Sequence, residues 1–199
     1  MRTGEDRILT VPNVLSLFRI CLIPVFCTFI LTEKPVYAFL IFLLASITDG
    51  IDGYVARHFN QTTKLGKILD PIADRGLILA GAVCLSIVSR LPVWILVLVL
   101  LRDGLFLVFG YILLKTKSIR VDVIMLGKVA TTFFYIGFAM LVLAWPVVGG
   151  LHLFDVLWLP GFGQDPYYLG IYFVYIGIIL NIFSSGHYIK TAYQKLKNA

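Results

Sequence analysis

Charge is scarce in this chain. Of its 199 residues only 14% are Asp, Glu, Lys or Arg, against 59% hydrophobic, and the mean hydropathy is +0.92. A soluble domain needs more polar surface than this, so composition points instead to an all-α integral membrane protein with room for about six spans joined by short loops. Cysteine is also sparse. Cys21, Cys27 and Cys84 all fall inside apolar runs, where they read as packing residues and exclude a disulfide framework. No Cys or His stands at ligand spacing, which speaks against a zinc site. The first apolar run, Val11 to Leu31, lacks a small-x-small cleavage site at its end, is too long for a signal-peptide core and contains Arg19. It is expected to be retained as a transmembrane helix.

The few acidic residues are not scattered. Four of the eleven carboxylates lie between Thr48 and Asp74, in Thr-Asp-Gly-Ile-Asp-Gly-Tyr-Val-Ala-Arg followed, after a short polar link, by Leu-Gly-Lys-Ile-Leu-Asp-Pro-Ile-Ala-Asp. An ionised carboxylate at the centre of a membrane helix costs about 2.5–3.5 kcal/mol on the insertion scale, so four of them require compensating positive charge. Asp49, Asp52 and Ala56 follow i, i+3, i+7, and Gly66, Asp70 and Asp74 follow i, i+4, i+8, so each set lies along one helix face. The link from His58 to Lys64 is long enough for an antiparallel turn, and the two acidic faces can meet. Oxygen-only ligands gathered in this way suit the hard cations Mg²⁺ or Mn²⁺. Ion pairing with Arg57 and Arg75 is the competing explanation, but two arginines cannot neutralise four carboxylates.

Around this motif the chain divides into six expected spans within a single membrane domain, 1–199. In the first, Asn13, Ser16 and Arg19 recur at i, i+3, i+6 as a polar stripe that should face the protein interior, through interhelical hydrogen bonds or a direct ligand contact. The second is purely apolar only from Val36 to Ile47. Twelve residues at 1.5 Å each cannot cross about 30 Å of hydrocarbon, so the helix must continue through the acidic motif to Arg57. The third runs from near Leu65 to Ser89, with Asp70-Pro71 expected to kink it or to start its regular part; Gly76 and Ala80 allow close helix approach. The fourth, Leu91 to Leu114, is interrupted by Arg102-Asp103. The fifth, Val121 to Trp145, carries Gly127-Lys128 in its first third. A connector from Pro146 to Pro166, rich in Gly, Pro and aromatics, precedes the sixth, Tyr167 to about Ile189, and a basic tail.

Basic residues orient the whole. With both termini cytoplasmic, the N-terminal arm, the 57–67 link, the 115–128 region and the tail hold twelve Lys and Arg, whereas the opposite side holds only Lys34 and Arg90. This positive-inside bias puts the acidic motif at the cytoplasmic ends of spans two and three. The net charge of +6 then reflects orientation and attraction to anionic headgroups, not nucleic-acid binding.

The order Asp49, Asp52, Gly53, Ala56, Arg57, Gly66, Asp70, Asp74 resembles the CDP-alcohol phosphatidyltransferase signature D-x-x-D-G-x-x-A-R-x8-G-x-x-x-D-x-x-x-D, with no departure at any of its fixed positions. The Val-Pro-Asn-Val-Leu-Ser-Leu-Phe-Arg opening of the first span is also similar to that family. The resemblance implies a membrane enzyme in which an acceptor hydroxyl attacks the diacylglycerol-bearing phosphate of CDP-diacylglycerol and CMP leaves. It further implies two divalent cations, with Asp49, Asp52 and Asp70 as metal ligands and Asp74 as a further ligand or the general base. Gly53, Ala56, Arg57 and Gly66 correspond to nucleotide-binding positions, and homodimers are implied as well.

The acceptor is less sharply marked. Arg102, Arg120 and Lys128 are candidates for an acceptor phosphate, though Arg120 also suits a topogenic or headgroup role. The Pro-Asn-Val-Leu-Ser-Leu-Phe-Arg and Gly127-Lys128 segments look like the phosphatidylglycerophosphate synthase and cardiolipin synthase branches. These imply glycerol 3-phosphate, the first expectation, or phosphatidylglycerol as acceptor. Arg102-Asp103 stands where Arg-Glu is expected in the former branch, which keeps the latter in view. A cation transporter or channel is the non-enzymatic alternative, but residues 91–199 contain no second copy of the acidic motif.

Overall fold

The computed structural model describes residues 10–58, 66–101, 104, 125–153 and 159–197. It divides into two compact units, Met1–Ser89 and Arg90–Ala199. Within the described residues the first unit holds three helices: α1 (Val11–Leu31), α2 (Pro35–His58) and α3 (Gly66–Ile87). The second holds a helical stretch at 93–101, here α4, then α5 (Met125–Leu143) and α6 (Gly170–Lys197), with a short antiparallel strand pair, β1 (Val147–Val148) and β2 (Tyr167–Tyr168).

Helix ends follow local chemistry. α1 starts after an extended Thr10, with proline in its first turn, where the missing N–H costs nothing. It ends at Thr32, whose hydroxyl donates to the Thr28 carbonyl at 2.7 Å, and Glu33 then turns the chain at φ 54°. α2 is one continuous helix of 24 residues that runs through the acidic motif, as the span arithmetic demands. α3 begins at Gly66, next to the expected Leu65. It passes through Asp70-Pro71, so of the two roles expected for the proline it does not start the helix. The loss there is limited to one backbone bond near the helix start. α5 ends at Leu143 because Ala144 takes φ 55° and Pro146 follows shortly. The connector is more ordered than a bare loop: Val147 pairs with Tyr168 and Val148 with Tyr167. Tyr167 therefore belongs to a strand and not to the last span, whose helix starts at Gly170 and continues to Lys197.

Packing in the first unit centres on α1, which lies against both α2 and α3. Phe26 of α1 stacks with Phe42 of α2 at 6.0 Å, and a Cβ on Gly76 of α3 would stand 3.2 Å from Ile23 Cδ1 of α1. In the second unit α5 and α6 cross closely at glycines. A Cβ on Gly137 would lie 2.6 Å from the Gly170 carbonyl oxygen, and one on Gly170 would lie 2.5 Å from that of Gly137. Neither position can carry a side chain without the helices parting.

The distribution of polarity is inverted relative to a soluble bundle. Val14, Leu17 and Phe18 of α1 and Val36, Leu40, Leu43, Leu44 and Ile47 of α2 are exposed, whereas Asn13, Ser16, Arg19 and Thr48 are buried. Among the described residues, Asn13–Leu31 and Met125–Leu143 are long and apolar enough to cross a membrane, and Pro35–Ile51 and Gly170–Gly186 are shorter apolar helices. An apolar exterior around buried polar side chains is what a hydrocarbon solvent selects.

Candidate active site

The carboxylates arrive on two helices. Asp49 lies in α2 with Asp52 one turn further on; Gly66 opens α3, and Asp70 and Asp74 follow at successive turns. The side chains of Asp52, Ala56, Arg57 and Asp70 lie outside the description, as do Arg102 and Arg120 altogether. Of the remainder, Gly66 is buried, Asp74 is half-buried beside the buried Ala73 and Leu77, and Asp49 keeps 48% of its side-chain surface exposed.

Asp49 is not alone. Arg19, on the polar face of α1, donates from Nη1 to Asp49 Oδ1 while its own side chain is 1% exposed. The spacing of the polar stripe marks Arg19 as inward-facing, but nothing in the sequence connects it to a carboxylate thirty positions away. The partners considered from the sequence were Arg57 and Arg75, and Arg75 is exposed. The first aspartate of the motif is thus tied across a helix boundary to the element packed against both acidic helices. Thr48, next to it, is buried and its hydroxyl donates to the Ala45 carbonyl at 2.8 Å. That bond satisfies the hydroxyl within the helix and leaves Asp49 as the polar group available to a ligand.

A divalent cation is what such a donor set would hold. No group of three or more His, Cys, Asp or Glu is gathered among the described residues, whose description does not extend to the side chains of Asp52 and Asp70. The chemistry nevertheless fits: the candidate donors are carboxylate oxygens only, and Asp49 has one oxygen on Arg19 and half its surface open, which suits Mg²⁺ or Mn²⁺ better than a softer ion.

In the second unit Lys128 is exposed near the start of α5. It lines a recess of about 440 Å³ with Gly127, Thr131, Thr132 and Tyr135. The Thr131 and Thr132 hydroxyls donate to the carbonyls of Gly127 and Lys128 at 2.8 and 3.0 Å, so the ammonium group is the cationic donor that the recess offers an anion. A larger groove, about 860 Å³, runs past Trp94, Val97 and Ile182. Among the described residues it is lined by no titratable side chain, and it is no candidate for the chemistry. Arg90, by contrast, is buried, with its guanidinium 5.7 Å from the Tyr168 ring centre. Burial pushes the neighbouring Tyr167 hydroxyl up to about 12, helped by Tyr168 and opposed by Arg90.

Comparison with known proteins agrees with these features. Residues 9–183 match the CDP-alcohol phosphatidyltransferase family. A cardiolipin synthase (CMP-forming) of Streptomyces coelicolor is 36% identical over 149 residues, 72% of this chain and 69% of the relative. A probable phosphatidylglycerophosphate synthase of Mycobacterium tuberculosis is 34% identical over 163 residues, covering 77% and 75%. A CDP-diacylglycerol–glycerol-3-phosphate 3-phosphatidyltransferase of Shigella flexneri is 30% identical over 190 residues, covering 92% and 94%. No solved structure matches. With its aspartate signature carried on α2 and α3 and its match extending through both units, the chain belongs to the CDP-alcohol phosphatidyltransferase family.

Proposed function

We propose that the chain is a phospholipid-synthesising enzyme that moves the phosphatidyl group of CDP-diacylglycerol to a hydroxyl of glycerol 3-phosphate and releases CMP. The observation that carries this reading is the complete aspartate signature on two helices of a unit whose exposed faces are largely apolar and which buries Asn13, Ser16, Arg19 and Thr48. The acceptor oxygen forms a bond to the diacylglycerol-bearing phosphorus as the pyrophosphate linkage to CMP breaks. Asp49, Asp52, Asp70 and Asp74 would hold two divalent cations. When bound, these supply charge neutralisation for the pyrophosphate and the leaving phosphate. In this reading Asp74 also accepts the acceptor's proton, its effectiveness resting on proximity rather than on high basicity. Gly53, Ala56 and Gly66 give the nucleotide a close approach to backbone, and Arg57 offers a planar fork to phosphate oxygens.

Glycerol 3-phosphate is preferred as acceptor because Lys128 brings a cation to an open recess, and because the Shigella relative named for that acceptor matches along nearly its whole length. Cardiolipin synthesis from phosphatidylglycerol is the second reading, favoured by the 36% identity to the Streptomyces enzyme.

The reading includes one membrane domain of six spans, both termini and the active site facing the cytoplasm, and a homodimer. At 1.5 Å per residue α2, α3 and α6 are about 36, 33 and 42 Å long, enough to cross a hydrocarbon layer of about 30 Å. One of the two basic residues on the far side, Arg90, is buried beneath Tyr168, which sharpens the charge bias further. The test is CMP release by purified protein given CDP-diacylglycerol and glycerol 3-phosphate. Release should stop in excess EDTA and return with Mg²⁺ or Mn²⁺; full turnover in EDTA would contradict the metal assignment.

A further inference from the structure

Arg19 is expensive where it stands. It lies in a helix apolar enough to span a membrane, its side chain is 1% exposed, and its guanidinium is committed to Asp49 on the neighbouring helix. A buried arginine retained in such a helix is rarely a stability device, because desolvation offsets most of the attraction between the charges. A contact with substrate phosphate would need an accessible fork, and this one is turned inward. The asymmetry of the pair is informative. The cation is sealed, whereas the carboxylate keeps 48% of its side-chain surface exposed, with Oδ1 taken by Arg19. Asp49 has no other partner among the described residues.

We propose that Arg19 is a positioning residue for the metal site: from α1 it grips Oδ1 of Asp49, fixes the carboxylate's rotation and directs its second oxygen toward the cation. The inference rests on the divalent-metal reading above and adds to it a residue outside the aspartate signature. Two features of the fold support the assignment. Ser16 and Asn13, one and two turns earlier on the same face, are buried at 0% and 5% exposure, so a polar ridge holds this side of α1 against its neighbours. α1 also packs on both α2 and α3, the helices that carry the four aspartates. A residue on α1 can therefore fix the angle of a ligand without itself belonging to either acidic helix. Arg19 offsets only one of four carboxylate charges, which leaves the site strongly cation-attracting.

Groups that orient metal-binding carboxylates typically change metal affinity 10–100-fold when removed. The experiment is Mn²⁺ binding to the full-length protein in detergent, followed by electron paramagnetic resonance, with thermal unfolding measured on the same samples. Arg19→Met should weaken Mn²⁺ binding by about 10–100-fold. Arg19→Lys, which keeps charge but not the fork, should recover part of it. Combining Arg19→Met with Asp49→Asn should cost less than the sum of the two, since both act through one carboxylate. Tighter Mn²⁺ binding in Arg19→Met would overturn the proposal by making the guanidinium a competitor for the same oxygens. Unchanged affinity with a lowered unfolding temperature would overturn it by reducing Arg19 to a structural role. Wild-type protein that binds Mn²⁺ no better than Asp49→Asn would strike the metal reading itself, and the proposal with it.

Discussion

Asp49 and Asp70 show how differently single residues disclose themselves. Their positions in the signature are read directly from sequence, and the helical spacing that aligns each with a second aspartate is confirmed by unbroken helices through both halves of the motif. What Asp49 touches could not be read, because its partner lies on another helix and only packing brings the two together. The polar stripe was the available clue: a buried arginine on an apolar helix implies a partner without naming it. Asp70→Asn replaces an anionic oxygen by a neutral amide of the same size. It should abolish CMP release while leaving the unfolding temperature within a few degrees of wild type, and an active variant would show that the metal is held elsewhere. Lys128 tests the acceptor. If it binds a phosphate dianion, Lys128→Ala should raise KM for glycerol 3-phosphate about tenfold or more, the scale of one charge-assisted contact, with KM for CDP-diacylglycerol little changed. Equal effects on both substrates would remove Lys128 from the acceptor site.

Among the elements, α2 was the most legible. Its apolar run is too short to cross a bilayer, so length alone forces the helix onward through polar residues, and it reaches His58 as an unbroken helix. α3 was less so, since Asp-Pro normally signals a boundary but here sits one turn inside a helix that has already begun. The strand pair of the connector was invisible for a plain reason. Two-residue strands have no periodicity, and Val147 and Tyr168 meet only because the ends of α5 and α6 are brought together. The same crossing explains two glycines that drew no notice in the sequence. Gly137 and Gly170 face each other's backbones so closely that a side chain at either would overlap a carbonyl oxygen. Gly137→Val should destabilise the protein by about 1–3 kcal/mol or more through overpacking, seen as a lower unfolding temperature in detergent. Gly149, around which a Cβ meets nothing within 4 Å, provides the control: Gly149→Ala should be nearly neutral. Equal tolerance at both positions would mean that α5 and α6 do not pack as described.

For the whole molecule, composition and charge bias carried most of the information. A chain with 59% hydrophobic residues and few charges is suited to lipid, and the exposed faces of α1 and α2 are largely apolar while Asn13, Ser16, Arg19 and Thr48 turn inward. The chemical class followed from eight positions of one motif and is shared with relatives matched over most of their length. The acceptor did not follow in the same way, because relatives named for different acceptors resemble the chain at similar identity. In this chain the acceptor is therefore tested at Lys128 and in the Arg102-Asp103 region, which lie outside the aspartate signature. The most direct measurement is therefore product identification. Purified protein is incubated with labelled CDP-diacylglycerol, Mg²⁺ and either glycerol 3-phosphate or phosphatidylglycerol, and the labelled lipids are separated. The expected result is phosphatidylglycerophosphate with CMP in the first incubation and little or no cardiolipin in the second. Cardiolipin as the only product would contradict the acceptor assignment, and no labelled product in either would contradict the phosphatidyl-transfer account as a whole.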